Sequence, residues 1–128
     1  MKALLLFLFT ATFLIAGEPK RDAGLSVHML PDRVAKLGGE QGGFTVTDPM
    51  TKERGTTYAH PGELLSYFQH LPSTVQQNGI WIVSTHPDSY SESEQAKLKA
   101  LIKLCTEKNI PVYTCRASEL PSGWQRAK

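Results

Sequence analysis

The residues best suited to chemistry lie in the last third of the sequence, directly after two apolar runs. His86 and Asp88 follow the first run, and Arg116 and Glu119 follow the second. Because histidine titrates near neutral pH, a carboxylate beside it could hold His86 as a general acid or base. The guanidinium group of Arg116 could bind an anion or a sugar hydroxyl group. These side chains could therefore bind a polar ligand and, through His86 and Asp88, act on it.

Two nearby side chains, Tyr90 and Ser118, could add hydrogen bonds to this site. The predicted site then has two catalytic residues and four ligand-binding residues, in that order: His86, Asp88, Tyr90, Arg116, Ser118 and Glu119. A structural interpretation competes with this functional one. In it His86 caps the adjoining turn, and Arg116 and Glu119 form a surface ion pair. The spacing of these residues leaves both interpretations open.

A strand, a helix and a second strand predict how these residues come together. Residues 80–85 form a continuous apolar run, which is typical of a strand covered on both faces. Ser91 and Glu94 match a capping box, and apolar residues recur after it at helical spacing. Residues 110–114 predict the second strand. Such a βαβ unit is expected to be right-handed with parallel strands, so that both strands end at one edge of the sheet, where ligands of open α/β sheets bind.

The remainder of the chain predicts a small single α/β domain over residues 25–128 with a mostly parallel sheet. Further elements are expected as follows: strands at 25–30 and 44–47, a short helix at 31–37, a glycine-rich loop at 38–43, and a helix at 62–71 that ends before Pro72. Trp81 and Tyr113 fall within predicted strands, and Trp124 could fold back onto the sheet.

The first 17 residues predict an export signal. Lys2 and the amino terminus precede an apolar run at 3–16, and the small residues Ala16 and Gly17 follow. This run of 14 residues is shorter than the roughly 20 that span a membrane, although an uncleaved anchor is the alternative. We expect cleavage after Ala16 or Gly17, a flexible leader at 18–24, and a periplasmic or secreted protein without a membrane span.

Charge and motif content exclude several function classes. The 14 Lys and Arg residues nearly balance the 12 Asp and Glu residues, so no strong nucleic-acid footprint is expected. The sequence has no H-x-x-x-H, H-E-x-x-H or C-x-x-C spacing and no phosphate-binding glycine motif, so we predict neither a metal nor a cofactor. Cys105 and Cys115 should lie too far apart for a disulfide and are expected to be reduced.

Residues 80–120 also carry a family resemblance. The order IWIVSTHP, helix and IPVYTCRASEL resembles the closing βαβ segment of the polysaccharide deacetylase (NodB-homology) family. In that family an apolar strand ends in a histidine on the catalytic side, and the last strand ends near a T-x-x-E-L pattern. The resemblance implies that His86 occupies the position of the helping acid. The family's T-F-D-D motif has only a partial counterpart at 45–49, and its metal-binding histidines have none.

Three functions follow from these expectations. The first is recognition of a cell-envelope ligand such as a glycan at the strand-end edge, which should place an aromatic residue beside polar ones. The second is hydrolysis of the carbohydrate esterase type, which should place His86 in a pocket within hydrogen-bonding reach of a carboxylate. The third is a protein-interaction module of the inhibitor or immunity type, which should expose an apolar patch that includes Trp124. Catalysis is the less favoured expectation.

Overall fold

A computed structural model describes residues 18–31 and 43–127. The predicted signal at 1–17 lies outside these residues, as do the predicted helix and loop except for Pro31 and Gly43. The predicted leader at 18–24 contains a short 3-10 turn at Arg21–Ala23. It is tied to the domain, because the backbone N–H of Lys20 donates to the side-chain oxygen of Asn78 over 2.8 Å.

The described strands form one sheet in the order β3-β2-β1-β4-β5-β6. Their bounds in chain order are β1 Leu25–Leu30, β2 Gly43–Thr47, β3 Arg54–Tyr58, β4 Ile80–Ser84, β5 Val112–Arg116 and β6 Gln125–Arg126. β1, β4 and β5 run parallel, so the predicted parallel pairing of β4 with β5 is confirmed. The strand β3, the short β6 and the helix that precedes β4 had not been predicted.

The sheet as a whole is mixed, so the prediction of a mostly parallel sheet is not confirmed. Among the described strands, β2 pairs antiparallel with both β1 and β3, and β6 pairs antiparallel with β5. For β2 and β3 the reason is the short connection between them. A turn of a few residues can reverse the chain only into an antiparallel neighbour, whereas a parallel pair needs a long crossover.

Within the described ranges, three helices pack on one face of the sheet. They are α1 (Pro61–Gln69), α2 (Ser73–Asn78) and α3 (Glu92–Glu107). α1 begins at a proline, which suits the first helical turn, and α3 begins with the predicted capping box at Ser91 and Glu94. Glu94 accepts a bond from the backbone of Ser91 and donates its own backbone N–H to the Ser91 hydroxyl, so both orphan amides are satisfied.

The hydrophobic core lies between these helices and alternate residues of the strands. β1 shows the alternation most clearly, because Leu25, Val27 and Met29 are buried while the residues between them are half-exposed. Phe68 of α1 and Leu101 of α3 are fully buried in the same cluster. This alternation, with a period of two, fixes which side chains of each strand face the helices.

The opposite face of the sheet, which we call the second face, carries an aromatic cluster. Trp81 of β4 stacks on Tyr113 of β5 with ring centroids 3.9 Å apart. Trp124 meets Trp81 edge to face at 5.3 Å, so the segment after β5 folds back onto the sheet as expected. These three rings cover β4 and β5 on the second face.

The two cysteines are free thiols and lie on different faces. Cys105 is in the helix-side core, whereas Cys115 is buried on the second face beside Val83. The sheet separates the two sulfur atoms, which agrees with the expectation of reduced thiols. None of the helices in the described ranges is long and apolar enough to cross a membrane.

The capping box predicts a measurable loss of stability in a single variant. Ser91→Ala removes the acceptor of the Glu94 amide and should lower the free energy of unfolding by about 1 kcal/mol. Ser93→Ala, in the first turn of α3 and exposed, is the matched control and should cost less than about 0.5 kcal/mol. Urea denaturation of both variants measures the difference, and equal losses would contradict the capping role.

The thiols predict a second result. Burial raises the pKa of Cys105 to about 11, so its thiol should react with a soluble disulfide reagent only after unfolding. Thiol titration without reductant should detect two thiols per chain in denaturant. It should detect fewer in the native protein over the same reaction time. A native disulfide would leave the denatured protein without titratable thiol, and that result would overturn the free-thiol assignment.

Candidate functional site

The loop after β4 presents His86 to solvent. The residue is exposed and adopts a left-handed backbone conformation, with φ of 54°. This conformation is uncommon for a residue with a side chain, although histidine tolerates it better than most. A short 3-10 turn at Pro87–Ser89 follows. Within the described chain no carboxylate forms an ion pair with His86, and its side chain makes no cap hydrogen bond to that turn.

Asp88 pairs with Arg116 instead. A guanidinium nitrogen of Arg116 lies 3.9 Å from the carboxylate of Asp88, and the side chains are 56% and 90% exposed. The predicted convergence of the two strand ends is thus present, but the predicted surface pair of Arg116 with Glu119 is not the one formed. An ion pair this exposed adds little stability. Its consequence is positional, because it joins the loop after β4 to the end of β5.

A cleft of about 400 Å³ lies beside this ion pair, where β4 and β5 end. Two of the residues predicted to bind a ligand, Arg116 and Glu119, line it, whereas His86 and Asp88 are not among its lining residues. The remaining lining side chains combine hydrogen-bonding and apolar groups: Ser84, Thr114, Gln125, Pro87, Leu98, Ile102 and Cys115. A cleft of this size is in the range of small-molecule sites.

Tyr90 is not available to a ligand. It is 9% exposed and belongs to the core cluster on the helix side. Its hydroxyl donates a hydrogen bond to the carbonyl of Met29 over 2.7 Å. Burial raises the pKa of Tyr90 to about 12, against a lowering by its hydrogen bond with the Ser84 side chain. The residue predicted to contact a ligand therefore fixes the loop after β4 to the neighbouring strand β1.

Ser118 and Glu119 lie in a 3-10 turn that follows β5, at Ala117–Glu119, and both are exposed. The backbone carbonyl of Glu119 accepts the amide of Gly123 over 2.9 Å, which turns the chain back toward the sheet. Glu119 therefore lines the cleft while its backbone shapes it. Ser118 is not among the lining residues of the cleft.

Three polar lining residues were missed by the sequence reasoning: Ser84, Thr114 and Gln125. Ser84 and Thr114 lie within the apolar strands rather than in the loops, so a search for polar residues after each strand passes over them. The period-two alternation of a strand could have placed Thr114 on the same face as Val112 and Arg116. Gln125 had no local signal, because β6 is two residues long.

Across the described ranges, no three His, Cys, Asp or Glu side chains come together in an arrangement that could hold a metal ion. No protein-family model, no curated protein and no solved structure matches this chain. The function is therefore argued from the chemistry of the cleft and not by analogy of fold.

Tyr90→Phe should reveal the buried hydroxyl through its pH dependence. At neutral pH the variant should lose about 1 kcal/mol of unfolding free energy, because the Met29 carbonyl keeps its bond from the Thr85 amide. The folded-state pKa of Tyr90 is about 12, above the ordinary tyrosine pKa of 10.0, so the hydroxyl's contribution is complete below pH 10 and disappears as the pH rises toward 12.

Urea titrations of wild type and Tyr90→Phe from neutral pH to pH 12 measure how the difference in their unfolding free energies decreases as the pH rises. Ser91→Ala is the control, because it removes a hydroxyl that does not titrate over this range, and it should keep a constant difference from wild type. A Tyr90→Phe difference that does not change with pH would contradict the buried position of the hydroxyl.

Proposed function

We propose that this protein is a non-catalytic recognition domain that binds a polar ligand, of the glycan class, in the cleft at the ends of β4 and β5. The observation that carries the proposal is the composition of the cleft. It combines a cationic donor, an anionic acceptor, an amide and two hydroxyl groups around an apolar surface within about 400 Å³.

Sugar hydroxyl groups both donate and accept hydrogen bonds, so a glycan site needs both kinds of partner. Arg116 supplies donors only, Glu119 supplies acceptors only, and the Gln125 amide supplies both. Leu98 and Ile102 offer an apolar surface to the C–H face of a sugar ring. No aromatic side chain is among the residues that line the cleft, so the platform here is aliphatic, unlike the aromatic one expected from the sequence.

The ion pair between Asp88 and Arg116 supports recognition over hydrolysis. A general acid or base needs a partner that orients its ring, and Asp88 was the residue expected to orient His86. Asp88 instead lies 3.9 Å from the guanidinium group of Arg116. Hydrolysis of the carbohydrate esterase type remains the second candidate function. The left-handed backbone of His86 favours it, because such conformations collect at functional sites.

A protein-interaction module has less support. The large hydrophobic side chains exposed in the described chain are Met50 at 77% and Leu120 at 37%, and they are single residues in different loops. Trp124, the expected centre of an apolar patch, is half-buried against Trp81. An interface of ordinary size usually needs a continuous apolar centre.

Thermal unfolding with and without cell-wall oligosaccharides tests the proposed function. At about 100 times its Kd, a ligand should stabilise the fold by roughly 2.7 kcal/mol, which is a clear shift in Tm. Arg116→Ala should abolish the shift, because it removes the cationic donor from the cleft. Arg126→Ala is a matched control, since Arg126 is not among the lining residues of the cleft.

The same samples separate recognition from hydrolysis. We expect a saturable shift without release of acetate or of shorter fragments, and His86→Ala should bind as wild type does. Product release that is lost in His86→Ala would replace the recognition proposal with the esterase. The absence of any shift over a panel of oligosaccharides would reject glycan recognition at this cleft.

A further inference from the structure

The second face of the sheet carries a group of basic and hydroxyl side chains on β1, β2 and β3. None of these three strands lines the cleft. Strand register places Ser26 of β1 beside Thr47 of β2, and Thr47 beside Arg54 of the edge strand β3. His28 lies two residues further along β1, paired with Thr45. Because strand side chains alternate, Ser26 and His28 project from the same face, opposite the helices.

Arg21 approaches this group from the segment before β1. Its guanidinium carbon lies 5.0 Å from the centroid of the Trp124 ring, which is a stacking distance for arginine on an aromatic face. Arg21 is thus held on the second face without a carboxylate partner.

The His28 ring lies in surroundings that carry positive charge. Its Nδ1 atom is buried and has no hydrogen-bond partner in the structure. Burial lowers the pKa of His28, and the positive charges of Arg54 and Arg21 lower it further. Both arginines therefore lie near enough to act on the same ring, although one precedes β1 and the other begins β3.

Neither of these two arginines has a carboxylate partner within ion-pair distance in the described part of the chain. In the described part of the chain, the ion pair within 4.0 Å is that of Arg116 with Asp88, so neither Arg21 nor Arg54 is paired in this way. None of the three helices in the described ranges covers the second face at β1 to β3, because their buried residues belong to the core on the other side of the sheet. Arg54 is exposed, while Arg21, Ser26, His28 and Thr47 are half-exposed, so a solute can reach them.

We propose that Arg21, Ser26, His28, Thr47 and Arg54 form an oxyanion-binding site on the second face, separate from the cleft. The ligand class is a solute that carries a phosphate, sulfate or carboxylate group. The two arginines supply charge-assisted donors, and the hydroxyls of Ser26 and Thr47 supply neutral ones.

Titration of the full chain with inorganic phosphate tests this site, with chloride adjusted to keep the ionic strength constant. The readouts are the imidazole resonances of His28 and the tryptophan fluorescence. We expect a saturable change in both, and a rise in the pKa of His28 as the bound anion offsets the two arginine charges. Sulfate and acetate titrations distinguish a tetrahedral oxyanion from a carboxylate as the preferred group.

Three arginine variants test whether phosphate binds at these residues. Arg21→Ala and Arg54→Ala should each weaken phosphate binding by about tenfold, the usual effect of one charge-assisted contact. Arg54→Lys keeps the charge and should lose less. Arg126→Ala is the matched control, because Arg126 also lies over an aromatic ring, that of Tyr113, but does not act on His28.

Two results would overturn the proposal. One is a response that rises linearly with each anion and never saturates, which is the behaviour of charge screening. The other is equal weakening in Arg126→Ala and Arg54→Ala, which would mean that the anion follows net charge and not these five residues. Neither result bears on the cleft, whose test uses oligosaccharides and Arg116.

Discussion

β4 is hydrogen-bonded on both sides and covered on both faces, and the positions of the other elements depend on it. All five of its residues are buried, and it runs parallel to β1 on one side and to β5 on the other. Ile80 and Ile82 pack against the helices, while Trp81 and Val83 face the other way. A strand in this position cannot slip by one residue, because every side chain would move to the wrong face. The candidate cleft at its carboxyl end therefore has a fixed geometry.

The two faces of the sheet are closed by different means. On one side, Leu, Phe and Val side chains from the helices fill the core by burial of apolar area. On the other side, flat rings stack on one another and arginines lie over them, as Arg126 does over Tyr113 at 5.5 Å. Aromatic stacking can leave polar groups at its borders, whereas an aliphatic core cannot. This difference explains how the second face holds charged side chains next to buried tryptophan.

Local signals in the sequence were enough for the βαβ unit and not for the rest. The apolar run of β4, the capping box at Ser91 and the helical spacing after it each encode one element in adjacent residues. β3 lacks such a signal, because Arg54–Tyr58 has glycine, threonine and charge in place of alternating apolar residues. α2 has Val75 as its single buried residue, so no periodicity exists to detect. Elements at the borders of a domain are determined by what they pack against.

The candidate functional site was also only partly predictable from local signals in the sequence. Loop positions at the two strand ends were predictable, because parallel strands must finish together. The structural interpretation paired Arg116 with Glu119, three residues away, but Arg116 pairs with Asp88 across the sheet edge. A tyrosine in a loop at a strand end is a typical ligand contact, yet the ring of Tyr90 is in the core. Which of two acids an arginine meets, and whether a tyrosine points inward, are decided by tertiary packing that spacing does not encode.

The carbonyl of Met29 has a consequence for how the edge of the sheet would respond to a bound molecule. It accepts two hydrogen bonds, from the amide of Thr85 and from the hydroxyl of Tyr90, at 3.0 and 2.7 Å. Both lone pairs of one oxygen atom therefore hold the two ends of a single loop. A loop already held in this way has little conformational freedom left to lose, so association at this edge would carry a small entropic penalty. It would also proceed without a slow rearrangement, as in lock-and-key recognition.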